Sequence, residues 1–224
     1  MNTVLKHPYV AVSGGRGESY GGNQMLLPDK TGRAVGCGVV AGLDLLLYLT
    51  RCRGVAVRDF PAGEGALPLA EYNRLAGELR RRYLPLIPGQ GINGLVLALG
   101  LNLWFRRHRL PYTARWGVPY RRLWSEMERM LAADIPVILA VGPNFPKLWQ
   151  HHALRLYDGA AEREPVDSGA TAHAHYLTVT GMDDTWLRVS TWGRMCRIRR
   201  EEYLAYVAAH SARLLSNILV IQSR

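Results

Sequence analysis

The sequence predicts an α+β fold, with helices in the first part of the chain and antiparallel strands in the last part. Two observations support this class. As far as residue 133, apolar residues recur at helical spacing or form long apolar runs. From Ile135 onward the segments are shorter, with the alternation and residue types of strands. Because 48% of the 224 residues are apolar, the chain can bury a core, and we expect one domain, 1–224.

Within this domain we expect an N-terminal arm (1–36), a helical lobe (37–133) and a sheet lobe (134–224), with a cleft between the two lobes. The arm is rich in Gly, Ser and Asn, which are residues that favour turns and loops. We therefore expect it to be irregular, apart from a short strand at Val10–Val12.

Four helices are predicted in the helical lobe. The first begins at Cys37 and ends near Arg51, and its apolar residues cover nearly all faces, which is typical of a central helix. Ala70–Tyr83 has apolar residues at helical spacing and charged residues between them, so it predicts a surface helix. After a PGQG break come an apolar helix at Ile92–Arg107, a strand at Tyr112–Trp116 and a helix at Pro119–Ala132.

The sheet lobe is predicted to begin with the apolar strand Ile135–Val141. The connection Pro143–Ala172 is long for a compact domain, so we expect a functional lid or a partly disordered segment. The remaining predicted elements are the strands His175–Thr180, Trp186–Ser190 and Met195–Ile198, the helix Arg200–His210 and the strand Asn217–Ile221.

The composition narrows the choice of partners and compartment. The net charge of +10 comes almost wholly from arginine, which a GC-rich coding background can explain, so we expect no nucleic-acid partner. The N-terminus lacks the apolar core of a signal peptide, and the longest apolar runs are shorter than the ~20 residues that span a bilayer. Three cysteines are too few for a disulfide framework. We expect a cytoplasmic protein with reduced thiols and no membrane insertion.

Cys37 is the first candidate for chemistry, because it lies at the predicted start of a helix between Gly36 and Gly38. A helix N-terminus stabilises a thiolate through its partial positive charge and its free N–H groups. The two glycines would let a substrate carbonyl approach the backbone, and the Cys37 N–H could donate to an oxyanion. Cys52 and Cys196 have neither feature.

His175 is the second candidate, about 140 residues after Cys37, a separation typical of papain-like thiol enzymes. It begins a predicted strand with the sequence HYLTVTG. From the rim of a sheet its imidazole would point into the cleft between the lobes. There it could accept the thiol proton and later protonate a leaving amine.

These residues resemble the papain-like cysteine peptidase superfamily. The segment around Cys37 resembles its nucleophile helix. His175–Gly193 resembles its histidine hairpin, which has the pattern H, five residues, G, and a strand that ends in N-S-W-G; here the strand ends in STWG. The order of Met127–Val141 and His175–Gly181 is similar to the bacterial branch of double-glycine leader peptidases, with a helix, a PVI strand, a variable loop and H-Y-L-V-V-x-G. The resemblance covers about a third of the chain.

The resemblance implies a papain-like fold and a role for each matching residue. Cys37 matches the nucleophile and His175 the base. Gln24, in GGNQ, matches the glutamine that completes the oxyanion hole, although its distance from Cys37 requires an inserted loop. Ser190 occupies the position of the Asn or Asp that orients the imidazole. Other candidates for that orienting residue are Thr191, Asp183 and Asn144.

The activity implied is that of a cysteine peptidase or amide hydrolase that works through a Cys–His thiolate and an acyl-enzyme. Its substrate would be a peptide or a small amide, and it would need no organic cofactor and no metal. Two alternatives stay open. A thiol acyltransferase needs the same Cys–His pair and oxyanion hole. A catalytically silent binding domain is the other, because Ser190 cannot stabilise an imidazolium as a carboxylate does.

Two further groups of residues leave alternatives open. Four histidines, His151, His152, His173 and His175, are zinc ligands by type, although no carboxylate or cysteine lies at a supporting spacing. The basic cluster 106–109 (RRHR) either binds an anionic ligand or is simply the solvated end of a helix.

Overall fold

The structure is a computed structural model, and it describes residues 2–14, 17–52, 57, 60–61, 65–146, 150–159 and 166–223. Its helices are α1 (Lys30–Val35), α2 (Cys37–Cys52), α3 (Leu69–Arg82), α4 (Gly94–Arg107), α5 (Leu123–Ala132) and α6 (Arg200–His210). Its strands are β1 (Thr3–Val4), β2 (Ala11–Gly14), β3 (Gly17–Tyr20), β4 (Leu67–Pro68), β5 (Tyr112–Trp116), β6 (Val137–Val141), β7 (Leu154–Asp158), β8 (Asp167–Ala172), β9 (His175–Met182), β10 (Trp186–Thr191), β11 (Arg194–Arg199) and β12 (Ile218–Ser223). The predicted α+β class is confirmed.

Within the described residues, nine strands form one antiparallel sheet. Its order is β5-β12-β6-β9-β10-β11-β7-β8, and β1 pairs with the end of β9. The register places His175, the first residue of β9, opposite Val141, the last residue of β6. β2, β3 and β4 form a separate small sheet. The histidine of the sequence analysis therefore lies at the end of a central strand.

α2 is the central helix of the fold, as its sequence predicts. Every residue from Gly38 to Thr50 is buried. The helix contacts β9 and β6 on one side and α3 and α4 on the other. Close packing fixes glycine at position 42, because a Cβ there would lie 2.9 Å from the Leu84 side chain. α2 is thus packed closely between the main sheet and the neighbouring helices.

The N-terminal arm is more regular than predicted. It contributes β1 to the main sheet, β2 and β3 to the small sheet, and α1 immediately before α2. The polar residues that predicted a loop serve instead as caps within this structure. Asn23 accepts a hydrogen bond from the Met25 N–H at the 3-10 turn Gln24–Leu26, and Asp29 accepts one from the Gly32 N–H at the start of α1.

Asp134 fastens the arm to the rest of the domain. Its carboxylate accepts hydrogen bonds from the Lys6 backbone N–H at 2.7 Å and the Tyr48 hydroxyl at 2.6 Å, and lies 2.6 Å from His7 Nδ1. Tyr48 belongs to α2, and Asp134 lies in the turn after α5. One carboxylate therefore joins the arm, the central helix and the entry to the sheet.

The connection Pro143–Ala172 also differs from the prediction, although its residues 147–149 and 160–165 lie outside the described part of the chain. It contains β7 and β8, which extend the main sheet beyond β11. β8 forms the edge of the sheet, and most of its residues are exposed. The lobes also share strands, because β1 from the arm and β5 from the helical region belong to the main sheet.

Two helices begin later than predicted. α4 begins at Gly94 because the Asn93 side chain caps it by accepting a hydrogen bond from the Val96 N–H. The segment after Pro119 first forms a 3-10 turn at Tyr120–Arg122, and α5 begins at Leu123. In the described part of the chain, the helices are too short or too polar for any of them to cross a bilayer.

Candidate functional site

The four residues that the sequence analysis selected for the site line one cavity. Cys37, His175, Gln24 and Ser190 come from α2, β9, the 3-10 turn of the arm and β10. The cavity has a volume of about 10 Å³, which is room for roughly one water molecule. Its other lining residues are Gly22, Val40, Ala41, Asp44, Tyr176, Thr178, Thr191 and Trp192.

Cys37 is the first residue of α2 and is half-buried. The sequence analysis expected the helix start to favour its thiolate. Burial raises the pKa of the thiol, and hydrogen bonds from the backbone N–H groups of Tyr176, Gly38 and Cys37 itself lower it by less. The predicted backbone donors are therefore in place, but desolvation of the thiolate outweighs them.

Gly38 lets α2 approach the sheet closely at this point. A Cβ at position 38 would overlap the Ile92 side chain and lie 3.3 Å from the ring of Tyr176. Tyr176 follows His175 directly along β9, so any larger residue at 38 would push the cysteine helix away from the histidine strand. The glycine after Cys37 thus has a packing role between helix and strand.

His175 is held by two neighbours, the last residue of β10 and the turn residue after it. Its ring stacks on Trp192, with centroids 4.6 Å apart and planes inclined by 22°. Its Nε2 lies 2.8 Å from Thr191 Oγ1. Burial lowers the pKa of the imidazole to about 4. The ring is therefore neutral at physiological pH, and Nδ1 is the nitrogen that Thr191 leaves free for another partner.

The orienting hydrogen bond comes from Thr191 and not from Ser190, the residue that the resemblance assigned. The Ser190 hydroxyl donates to the Tyr20 carbonyl at 2.8 Å. Successive side chains of a strand point to opposite sides, so these two neighbours cannot hold the same ring. The other candidates are also engaged elsewhere: Asp183 accepts from two N–H groups in its own turn, and Asn144 accepts from the Tyr206 hydroxyl.

Gln24 lies in the wall of the cavity, with 8% of its surface exposed. Its Nε2 donates to the Arg33 carbonyl at 3.1 Å, and its buried Oε1 has no hydrogen-bond partner among the described residues. An amide nitrogen carries two hydrogens, so one N–H remains after the bond to Arg33. The bond to Arg33 thus holds the Gln24 side chain in the wall of the cavity with one N–H uncommitted.

A short piece of the arm, Tyr20–Gly22, connects the cysteine helix with the histidine hairpin; we call it the bridging segment. On the hairpin side, the Tyr20 N–H donates to the Gly193 carbonyl at 2.9 Å, and the Gly193 N–H donates to the Gly22 carbonyl at 3.0 Å. On the helix side, the Gly22 N–H donates to both carboxylate oxygens of Asp44, at 3.0 and 3.2 Å. Gln24 follows two residues later, so the same segment sets its position.

Asp44 is a site residue that the sequence analysis missed. It is 2% exposed, lines the cavity, and accepts further hydrogen bonds from Tyr72 at 2.7 Å and Tyr9 at 3.3 Å. Burial raises the pKa of its carboxyl to about 6. One signal was present in the sequence: Asp44 interrupts an apolar helix seven residues, or two turns, after Cys37, and therefore lies on the same face.

Glycine is required at positions 21 and 22, where the bridging segment contacts Asp44. Gly21 has a φ of +77°, and a Cβ there would overlap the Ser190 hydroxyl and approach the Asp44 carboxylate. A Cβ at Gly22 would overlap the Tyr72 hydroxyl. The GG pair that suggested a loose loop is instead the feature that lets the bridging segment reach a buried carboxylate.

The four histidines that suggested a zinc site do not converge on one point. The rings of His151 and His173 are 5.9 Å apart, whereas His152 stacks on His210 at 3.9 Å and His175 stacks on Trp192. Among the residues that the structure describes, no group of three or more His, Cys, Asp or Glu side chains is arranged to hold a metal ion.

The chain was compared with known proteins. No family model matches it, and no curated protein is similar to it.

Proposed function

We propose that this protein is a papain-like cysteine hydrolase that cleaves a peptide or another amide through an acyl-enzyme. The observation that carries the proposal is the convergence of Cys37, His175 and Gln24 on one cavity, with His175 about 140 residues away from the other two in the sequence. A helix-start thiol, a strand-end imidazole and a fixed amide N–H are the three groups that acyl transfer to sulfur requires.

The first half of the reaction forms the acyl-enzyme. Nδ1 of His175 accepts the proton of the Cys37 thiol as Sγ attacks the substrate carbonyl carbon. The Cys37 N–H and the remaining N–H of Gln24 donate to the oxyanion. When the carbon–nitrogen bond breaks, the imidazolium returns the proton to the departing amine. Nε2–H donates to Thr191 throughout, which keeps the ring in the required tautomer.

The second half consumes the acyl-enzyme. Water gives a proton to Nδ1 and attacks the thioester carbon, and the carbon–sulfur bond breaks to release a carboxylic acid and the thiol. If an amine attacks in place of water, the product is a new amide and the protein is an acyltransferase. The same residues serve both reactions.

A silent binding scaffold is the second candidate, and one observation favours it. Burial raises the pKa of Cys37 and lowers the pKa of His175, so both groups are neutral near pH 7 in the free protein. The hydroxyl of Thr191 cannot offset the charge of an imidazolium as a carboxylate would. In the hydrolase, the proton transfer therefore accompanies attack on a bound substrate and does not precede it.

The test uses 4-nitrophenyl acetate, an activated acyl donor. We expect release of nitrophenolate, a gain of one acetyl group at Cys37 by mass spectrometry, and slow loss of that group with turnover. Cys37→Ser should abolish acetylation, and His175→Ala should slow it by about 100-fold, a typical contribution of a general base. Added glycinamide separates the two reactions, because an acyltransferase forms N-acetylglycinamide faster than acetate.

Two results would contradict the hydrolase. If Cys37 is acetylated no faster than Cys52, or if His175→Ala leaves the rate unchanged, the two residues do not act as a pair. The binding scaffold would then be the better account of the fold.

A further inference from the structure

A second cavity lies between the C-terminal halves of α3 and α4 and shares no residue with the catalytic cavity. Its volume is about 300 Å³, which is at the lower end of the range for small-molecule sites. Its lining residues are Phe60, Leu75, Glu78, Leu79, Arg82, Tyr83, Trp104, Arg107 and His108. It is thus much larger than the catalytic cavity, and the proposed hydrolase does not use it.

The floor of this cavity is apolar and rigid. Leu75, Leu79 and Trp104 are each no more than 3% exposed and belong to the core. Phe60 packs on Trp104 with ring centroids 5.1 Å apart, and His108 lies over the same indole at 4.4 Å. An apolar or aromatic body would find matching surface here.

The mouth of the cavity is positively charged. Arg82 and Arg107 are the last residues of α3 and α4, and both are exposed. Among the described residues, no carboxylate forms an ion pair with either one. Glu78, the acidic residue of the lining, is already bonded to Arg74 at 2.7 Å. The sequence contains no Asp or Glu between Glu78 and Glu126, so α4 and the connection that leads into it add no negative charge. Asp59, the residue before Phe60 in the sequence, is the acidic residue closest in sequence to another part of the lining.

The position of these arginines at helix ends does not by itself explain the site. Cations are favourable at any helix C-terminus. Arg81 and Arg106 meet that requirement equally well, one residue earlier on each helix, yet neither lines the cavity. The pair Arg82 and Arg107 differs from them by flanking an apolar chamber.

We propose that this cavity binds a small amphipathic anion. Its aromatic or alicyclic body would occupy the floor over Trp104, and its carboxylate, sulfonate or phosphate would lie between the guanidinium groups of Arg82 and Arg107. Guanidinium groups bind such oxygens through paired N–H donors, which favours this head group over a single point charge. The basic cluster 106–109 thus contributes to a ligand site.

The experiment compares two probes with one skeleton: 1-anilinonaphthalene-8-sulfonate, which carries an anion, and N-phenyl-1-naphthylamine, which does not. Titration by fluorescence should give one sulfonate site per chain. Arg82→Ala and Arg107→Ala should each weaken it about tenfold, the size expected for a lost charge-assisted hydrogen bond. The matched controls Arg81→Ala and Arg106→Ala should stay within about twofold of the parent protein. The neutral probe should bind all five proteins alike.

Because the four arginines are exposed, these variants keep the fold, and circular dichroism checks it. The proposal is wrong if the parent protein does not bind the sulfonate, or if all four arginine variants weaken binding equally, which would indicate general charge attraction. It is also wrong if Leu99→Ser, on the exposed face of α4, removes binding while the arginine variants do not. The catalytic cysteine takes no part in this test, so its outcome is independent of the proposed hydrolase.

Discussion

The cavity lined by Cys37 and His175 contains two buried groups whose pKa values are shifted in opposite directions by the same cause. Burial raises the pKa of the Asp44 carboxyl from 3.8 to about 6 and lowers the pKa of the His175 imidazole from 6.5 to about 4. Both shifts favour the neutral form. Each group therefore makes the free energy of unfolding depend on pH, with opposite signs.

The magnitudes follow from proton linkage. As the pH falls from about 7 to about 4.5, the unfolded chain protonates His175 and the folded one does not, which removes about 2 kcal/mol of stability. Over the same interval the folded chain protonates Asp44 before the unfolded chain does, which adds about 2 kcal/mol. In the parent protein the two contributions nearly cancel. When either group is removed by mutation, the pH-dependent contribution of the other group is no longer cancelled.

The assay is urea unfolding of the parent protein, Asp44→Asn and His175→Gln at about pH 7 and about pH 4.5. Groups common to all three proteins cancel when each variant is compared with the parent at each pH. On acidification, the free energy of unfolding relative to the parent protein should rise by about 2 kcal/mol for His175→Gln and fall by about 2 kcal/mol for Asp44→Asn. The claim that burial shifts the pKa values of Asp44 and His175 is refuted if the relative free energies of unfolding of the two variants change in the same direction on acidification. It is also refuted if neither changes by more than about 0.5 kcal/mol.

Three other outcomes are expected. Thr191→Val should slow iodoacetamide labelling of Cys37 by about tenfold, because the Thr191 hydroxyl holds the imidazole, whereas Thr191→Ser should label at the rate of the parent protein. If the two variants label at equal rates, ring stacking alone orients the imidazole. In native protein, peptide mapping should find Cys37 labelled ahead of Cys196, which is 6% exposed, and labelling that begins only in urea would contradict an accessible site. Asp134→Ala should lower the free energy of unfolding by about 3 kcal/mol, since the buried Tyr48 hydroxyl and the Lys6 N–H lose their acceptor; Asp134→Asn, which keeps an acceptor, should cost less.

The sequence predicted five of the six described helices and the central strands because their signals are local, but it did not predict the short helix α1 in the arm. The all-round apolar pattern of α2 identified a buried helix, and the alternation in HYLTVTG identified β9. Long-range pairing was harder to predict. The arm and β7 join the sheet through strands of two to five residues, and such short segments carry too little periodicity to identify their partners.

The candidate site was predicted in part. The spacing of Cys37 and His175 was enough to expect them at one cavity, but motif alignment assigned the wrong neighbour as the ring partner. Which of Ser190 and Thr191 faces the imidazole depends on the side of the strand that each occupies, and a one-residue difference inverts the answer. The direction of the thiol pKa depends on the balance between burial and backbone donors, which motif spacing does not contain.

The bridging segment has a consequence for the order in which the protein matures on the ribosome. Tyr20 emerges early, yet its partners Ser190 and Gly193 are made some 170 residues later. Until then the Gly22 contact with Asp44 can form, but the contacts of the bridging segment with Ser190 and Gly193 cannot. Cys37 would therefore lack the neighbouring histidine hairpin through most of the synthesis of the chain. Under the proposed function, the reactivity of Cys37 would arise only late in synthesis, when the hairpin forms its hydrogen bonds with the bridging segment.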